Sequence, residues 1–437
     1  MLTPRQLEQL PFPIMRRANE FQNKIVEYIA NDLGKFDELA TMDDFDEVKT
    51  ENIQKFNVYY QKTKKKYRKK IDKEIEDMIL LYIIGDVLSK SETEKANIPY
   101  IPFKEDKYLN KITNETINQV QKDIKGTFNN LGFTEIVDDK VKTLSIEPTS
   151  FKVATKQQGF YQKIMDRTAN DIFNKGVDYN TGIKNAIRTM TDNGIRDIQY
   201  PHHTDRIDVA VRRSVMTQTK SLSRKNEEHK ANRLRLTTFE ITWHPQHRPS
   251  HLWGGRRFSK VKTDEIDIQT GNPFLTEQEL YEKYHDPLTG EVGTLEDWNC
   301  YHNIFYIYSF DEPMYSEKEL DRKDKEQEET TTYKGKEYTQ WQARERQREI
   351  ERTIRNWRLR VKGYENAGES QADNLLRARA RVMLWRKEYQ NFNKAIGLTN
   401  EWERINYDDL GRVSPLGVNQ VKELAEISTL GDKLKEI

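Results

Sequence analysis

Apolar residues recur along this chain mainly at three- and four-residue spacings, the mark of helices that bury one face. Phe21, Ile25 and Ile29, with Val26 beside them, form one stripe, and Ile71, Ile75, Met78, Leu81 and Tyr82 form another. Residues 1 to about 92 therefore read as helical, with Lys62–Lys70 too polar for a core. Two prolines mark a break at Asn97–Phe103, after which a mostly polar helix is predicted near Ile112–Phe128, with a short irregular tail to residue 150. Residues 151–235 return to helix, beginning with Tyr161, Ile164 and Ala169. Gly176 and Gly182 flank a segment with Ile183, Ala186, Ile187 and Met190 on one face, and Gly194 is placed to cap it. Asp205 is a candidate cap for a following helix carrying Ile207, Val211 and Val215.

The period then switches from helical to alternating. Phe239, Ile241 and Trp243 alternate with Glu240 and Thr242, which predicts a half-buried strand. A turn-rich segment, Pro245–Gly255, leads to a short strand at Arg257–Val261, and Ile304–Phe310 reads as a further strand after long loops marked by Gly271, Pro273, Pro287, Gly290 and Gly293. Beyond Asp321 the helical period resumes in highly charged sequence. Ile350, Ile354, Trp357 and Val361 make one stripe; Leu376, Ala380 and Met383, continued by Trp385, Tyr389, Phe392 and Ile396, make its mate across Gly363–Glu369. Two arms of about 28 residues, each about 42 Å long, would form an antiparallel hairpin. The expected fold class is α+β and mostly α-helical. Its expected parts are an N-terminal helical region at 1–103, a central helical region at 104–235, a small β-containing module at 236–316, and a charged helical hairpin with its tail at 317–437.

Composition adjusts this picture in two ways. Only 35% of the 437 residues are hydrophobic and 33% are charged, so the apolar material must sit in small cores and narrow stripes rather than in one large globule. With 72 basic and 71 acidic residues the net charge is +1, which removes any global pull toward nucleic acid. Local basic runs at Lys62–Lys70 and around Arg377, Arg379 and Arg381 leave a nucleic-acid-binding module as a weaker reading, because acidic residues are interleaved with them. A single cysteine, Cys300, forbids an internal disulfide. The longest apolar stretch, Met78–Ile84, is too short to span a bilayer, and no signal-peptide pattern is read, so synthesis and assembly in the cytoplasm are expected, without a membrane partner.

The densest chemistry lies in Trp243-His244-Pro245-Gln246-His247-Arg248-Pro249-Ser250-His251-Leu252-Trp253-Gly254-Gly255, and in Asp297-Trp298-Asn299-Cys300-Tyr301-His302 just before the strand at Ile304. If the two strands are neighbours, His244 or His251 comes close to Cys300 and His302. Thiolate and imidazole are the ligands zinc prefers, so His244, His251, Cys300 and His302 are the candidate metal set, although the spacing matches no finger pattern. Metal-assisted hydrolysis, as in a nuclease, would need a carboxylate pair that the module does not offer in sequence. A buried polar network, with imidazoles bonded to backbone carbonyls and pinning a loop to the sheet, explains the same residues without a cofactor. No nucleophile constellation, P-loop or dinucleotide fingerprint is present, so the residues themselves give no catalytic site.

Three blocks of this sequence resemble the phage minor capsid protein 2 family. The first runs from Gly176-Val177-Asp178-Tyr179 through Ile183, Ala186-Ile187, Gly194-Ile195 and Tyr200 to Val209-Ala210-Val211-Arg212-Arg213 and Thr217. The second is His244 with Arg248-Pro249-Ser250-His251, Trp253, Gly255 and Phe258-Ser259; the third is Trp298-Asn299-Cys300 with His302. A weaker fourth block, Tyr338-Thr339-Gln340 to Ile354-Arg355, resembles the start of that family's helical hairpin. The chain departs from the family pattern at Trp253-Gly254-Gly255, where Trp-Gln-Gly is common, at Tyr301, where an arginine is usual, and at Pro245 and Gln246. The resemblance implies a structural head component of a tailed phage, present in few copies inside the head near the portal, that assists assembly, genome packaging or delivery. It implies the portal protein as partner, with the major capsid or scaffold protein as further candidates, and proximity to packaged DNA without strong binding. The alternative is a head-carried metal-dependent enzyme, nuclease or toxin-like, built on the His/Cys module.

Overall fold

A computed structural model describes residues 4–130, 161–193, 196–199, 204–295, 297, 300–406, 408, 410–411 and 413–427. The expected tail before residue 150, the cap at Gly194, and Ile195, Tyr200, Trp298 and Asn299 of the resembling blocks lie outside the described residues. The fold is α+β and mostly helical, with small antiparallel sheets. Two compact units make up the chain. One comprises Met1–Pro11, Lys73–Lys122 and Arg213–Arg346; the other comprises Phe12–Asp72, Asp123–Arg212 and Gln347–Ile437. No helix among the described residues is long and apolar enough to cross a membrane.

The first unit is organised by a three-stranded sheet. Thr238–Ile241 is its middle strand, antiparallel to Arg257–Ser259 on one side and to Ile304–Tyr306 on the other, with Phe239 opposite both Phe258 and Tyr306. Pairing continues one step past the strands, because the Thr242 N–H donates to the Asn303 carbonyl at 2.8 Å and the Asn303 N–H donates to the Thr242 hydroxyl at 2.9 Å. Phe239, Ile241, Phe258 and Ile304 join Ala231, Trp253, Leu280, Tyr281, Leu295 and Cys300 in one apolar core. The expectation of a half-buried strand is corrected here. Glu240 is only 1% exposed, because Arg257 donates to its carboxylate at 2.9 Å and the Met314 N–H donates to it at 2.9 Å. A buried carboxylate is tolerated only with such partners. The outer strands are also shorter than the apolar runs suggested, ending at Ser259 and Tyr306.

Helices flank this sheet. Ile207–Leu234 contributes Ala231 to the core, and on its polar side Asn226 and Lys230 both bond Asp86. Three short helices, Lys90–Lys95, Glu277–Lys283 and Glu317–Glu328, each begin with a reciprocal capping box, Ser89 with Glu92, Thr276 with Glu279 and Ser316 with Glu319. Within the stretch expected to be continuous helix after Asp321, Thr331–Tyr333 and Lys336–Tyr338 form a β-hairpin instead. Its turn residues Lys334 and Gly335 both have positive φ, 50° and 78°, the geometry of a two-residue hairpin loop.

The second unit is a helical assembly. Phe21 of the helix Phe12–Gly34 meets Tyr60 and Tyr67 of the helix Met42–Ile84 and Phe128 of the helix Lys107–Asn130, with ring centroids 5.0–6.1 Å apart. Tyr67 and Thr63 are buried, which corrects the reading of Lys62–Lys70 as too polar for a core: two residues of the basic run turn inward while most of its lysines stay in solvent. Within Met42–Ile84 the buried positions near its end are Ile71, Ile75, Ile79, Tyr82 and Ile83, and the expected Leu81 is 78% exposed. Tyr161 lies in a helical stretch that includes 161–169 and donates from its hydroxyl to Asp32 at 2.7 Å. Asp178 caps the N-terminus of the helix Tyr179–Asn193 through the Thr181 N–H, and Gly182, expected to flank the apolar segment, lies inside that helix, against Ile172. Asp205, expected as a cap, belongs to the strand Thr204–Arg206.

The hairpin arms are Gln340–Asn366 and Ala372–Ile396, 27 and 25 residues long, or about 40 and 38 Å. Gly368, with φ 89°, lies in the turn between them. The arms are tied by a buried carboxylate. Glu351, at 0% exposure, accepts from Arg348 at 3.0 Å, from Arg404 at 2.9 Å and from the Tyr389 hydroxyl at 3.0 Å. Burial alone would raise the Glu351 carboxyl, but Arg348, Arg404 and Arg355 outweigh it and hold it below the usual range.

Candidate functional site

The candidate residues sit in the first unit, where a loop leaving the central strand meets the segment entering the strand Ile304–Tyr306. Pro249–His251 forms a single 3-10 turn closed by the His251 N–H on the Arg248 carbonyl at 2.9 Å. Pro249 suits the first position of that turn, where no N–H is needed. The turn carries Ser250 and His251 inward, at 3% and 2% exposure. Cys300 and His302 arrive from the other side at 3% and 0%, held in register by the Thr242–Asn303 bonds.

Three of the four sequence-predicted residues come together. One ligand atom from each of His251, Cys300 and His302 lies within 4.8 Å of the others, and Cys300 Sγ stands 3.5 Å from His302 Nδ1. His244 is a neighbour rather than a member. Its ring lies against His302 with centroids 4.2 Å apart, and its Nδ1 is 2.9 Å from the Pro245 carbonyl. His247 behaves similarly, with Nδ1 at 3.0 Å from the Arg248 carbonyl. These two contacts to backbone carbonyls are of the kind a loop-pinning polar network uses.

Several supporting roles were not read from the sequence, although most of the residues lie in the segments singled out there. Asp297 accepts from His251 at 3.1 Å, and is itself oriented by the Thr294 N–H and hydroxyl, both at 3.0 Å. Trp253, fully buried, donates from its indole to the Gly293 carbonyl at 2.9 Å. Gly254 and Gly293 let the backbone approach the imidazoles. A Cβ on Gly254 would stand 2.7 Å from His302 Nε2, and one on Gly293 would stand 2.3 Å from His251 Cδ2. From the helix Ile207–Leu234, the Lys220 ammonium donates to the Leu295 carbonyl. Beside the cluster is a small cavity of about 30 Å³ lined in part by Lys220, Asp297 and Cys300; that is room for about one water molecule. The departure of Gly254 from the resembled pattern was the available sequence signal, since a glycine next to a buried aromatic often marks close backbone approach.

The electrostatics are those of a dry pocket. Burial pushes the His244 imidazole down to about 3 and the His251 imidazole down to about 4, the latter against the opposing pull of Asp297. Burial, aided by the surrounding histidines, holds His302 well below the ordinary imidazole value. All three rings are therefore neutral at neutral pH and keep a lone pair available. Among the described residues, His302 Nε2 is buried without a hydrogen-bond partner. The arrangement offers one sulfur and imidazole nitrogens at close quarters, with one carboxylate already engaged.

A model of the family described as Phage minor capsid protein 2 matches residues 2–393. That span takes in both compact units, the His/Cys cluster and most of the hairpin. Neither a curated protein nor a solved structure matches the chain.

Proposed function

The chain belongs to the phage minor capsid protein 2 family and is thus a structural component of a phage virion, and from that premise we propose that it is a low-copy head protein seated on the portal inside the capsid. There it would assist assembly, genome packaging or delivery, with the portal protein as first partner and the major capsid or scaffold protein as further candidates. The observation that carries the reading is the family match across nearly the whole chain. Physical features support it. Long helices with charged outer faces suit packing against a ring of other helices. A net charge of +1 suits residence beside packaged DNA without being trapped on it.

Co-expression with the portal protein of the same phage tests the portal reading. A complex that stays together through size-exclusion chromatography, with a mass fitting both components, is expected. Two separate species would remove portal association and leave family membership untouched.

A second reading, a head-carried metal-dependent nuclease or toxin-like enzyme, has the cluster of His251, Cys300 and His302 in its favour. Hydrolysis needs a base or a second carboxylate near the metal. The carboxylate bonded to the cluster, Asp297, is committed to His251 and Thr294. A structural role for the cluster is the better supported of the two, and a nuclease assay of the pure chain with added divalent metals separates them.

A further inference from the structure

We propose that His251, Cys300 and His302 bind a zinc ion that cross-braces the loop after the central strand to the segment entering the strand Ile304–Tyr306. Zinc holds sulfur at about 2.3 Å and imidazole nitrogen at about 2.0–2.1 Å in a tetrahedron, which sets a sulfur-to-nitrogen edge of about 3.6 Å. Cys300 Sγ and His302 Nδ1 already stand 3.5 Å apart. The third ligand lies within 4.8 Å of both, so closure around an ion needs a contraction of no more than about 1.5 Å. Small side-chain rotations supply that.

Two further observations point the same way. Asp297 bonds His251 at 3.1 Å, the position an outer carboxylate takes behind a zinc-bound imidazole. Gly254 and Gly293 bring the backbone so close that side chains at these positions would collide with the two rings, so the pocket is built to hold the imidazoles in place. The fourth ligand would be a water molecule, for which the cavity adjoining Cys300 and Asp297 has room. His244 is outside the set, since it touches His302 by its ring face and spends Nδ1 on the Pro245 carbonyl. The small apolar core of this unit gains a staple from the ion, because binding to the folded site adds directly to folding stability. The inference is independent of portal association, and either can fail alone.

The test uses the full chain purified without chelator. Metal analysis should find one zinc ion per chain, removable by a strong chelator with a fall in melting temperature and faster reaction of Cys300, the single thiol, with a disulfide reagent. Cobalt(II) loaded in place of zinc should give thiolate-to-metal charge-transfer absorption. That band should vanish in Cys300→Ser and persist in His244→Asn, while Asp297→Asn should weaken zinc affinity by about 10–100-fold. A wild-type chain that remains folded, takes up no zinc on titration, and shows the same Cys300 reactivity with and without the metal would overturn the proposal. That comparison needs no variant, so it decides the matter even if Cys300→Ser does not fold.

Discussion

At the scale of single residues, the glycines around the histidine cluster are its most demanding positions. A methyl group on Gly254 would meet His302 Nε2 at 2.7 Å inside a closed pocket, and overpacking of this kind costs about 1–3 kcal/mol. Gly254→Ala is therefore expected to lower the unfolding free energy by that amount in denaturant titration. Gly126, in the helix Lys107–Asn130, has no described residue within 4 Å of where a Cβ would sit. Gly126→Ala should raise stability by about 0.5–1 kcal/mol through helix propensity alone. Equal effects at the two sites would contradict the packing described for the cluster. The cluster residues themselves were legible in sequence, since histidines crowded before a glycine pair and a cysteine before an aromatic strand are visible patterns. The exclusion of His244 was not, because it depends on a ring rotated onto His302 and a bond to its neighbour's carbonyl. Asp297 was equally hidden as a partner, 46 positions from His251 in sequence.

A titration prediction belongs to the same scale. Burial pushes the Asp106 carboxyl up, but the Leu109 N–H and His229 more than reverse this and leave it below its ordinary value. A carboxyl depressed in the fold stabilises fully above the unfolded value of about 3.9 and loses that contribution as pH falls through the lower folded value. In Asp106→Asn this part of the acid-side loss should disappear, so the stability–pH curve below pH 5 (about one unit above that value) should be shallower than in the wild type. An unchanged slope would show that the Leu109 N–H and the His229 contact, 2.9 Å long, together contribute nothing.

At the scale of elements, helical periodicity located most of the architecture, and polar burial accounts for most of the departures. The stripes through Phe21, Ile25 and Ile29 and through Ile350 and Ile354 are buried as their spacing predicts. The hairpin's centre is not apolar, however. Glu351 is enclosed with Arg348, Arg404 and Tyr389, and no hydrophobic count anticipates a charge there. Glu351→Ala removes the fully buried carboxylate of this network and leaves Arg348 and Arg404 to the more exposed Glu401, and losing one member of a buried pair costs about 3–5 kcal/mol. Its chemical denaturation midpoint should drop accordingly; a change within the range of surface substitutions would mean the arginines find water instead. Glu240 was missed for the same reason, since alternation assigns a glutamate in a strand to solvent unless its partner, here Arg257, is known. The hairpin Thr331–Tyr338 was missed because its flanking charges match the helical composition around it. The local cue was Lys334-Gly335, two residues able to take positive φ between short threonine- and tyrosine-bearing runs.

At the scale of the whole molecule, each compact unit draws on three separate stretches of chain. The segment 236–316, which carries the sheet and the histidine cluster, shares its unit with helical residues from 73–122 and with most of the helix Ile207–Leu234. A sequential reading cannot see such interleaving, because it arises from long-range packing rather than local period. The family match runs through both units, so the structural head role attaches to the full assembly and not to one module. The most direct measurement is quantitative mass spectrometry of purified virions and of DNA-free procapsids from the phage that encodes this chain. The account predicts that the chain is present in the head at a small, constant fraction of the major capsid protein and comparable to the portal protein. Absence from both particles, or an abundance matching the major capsid protein, would contradict it.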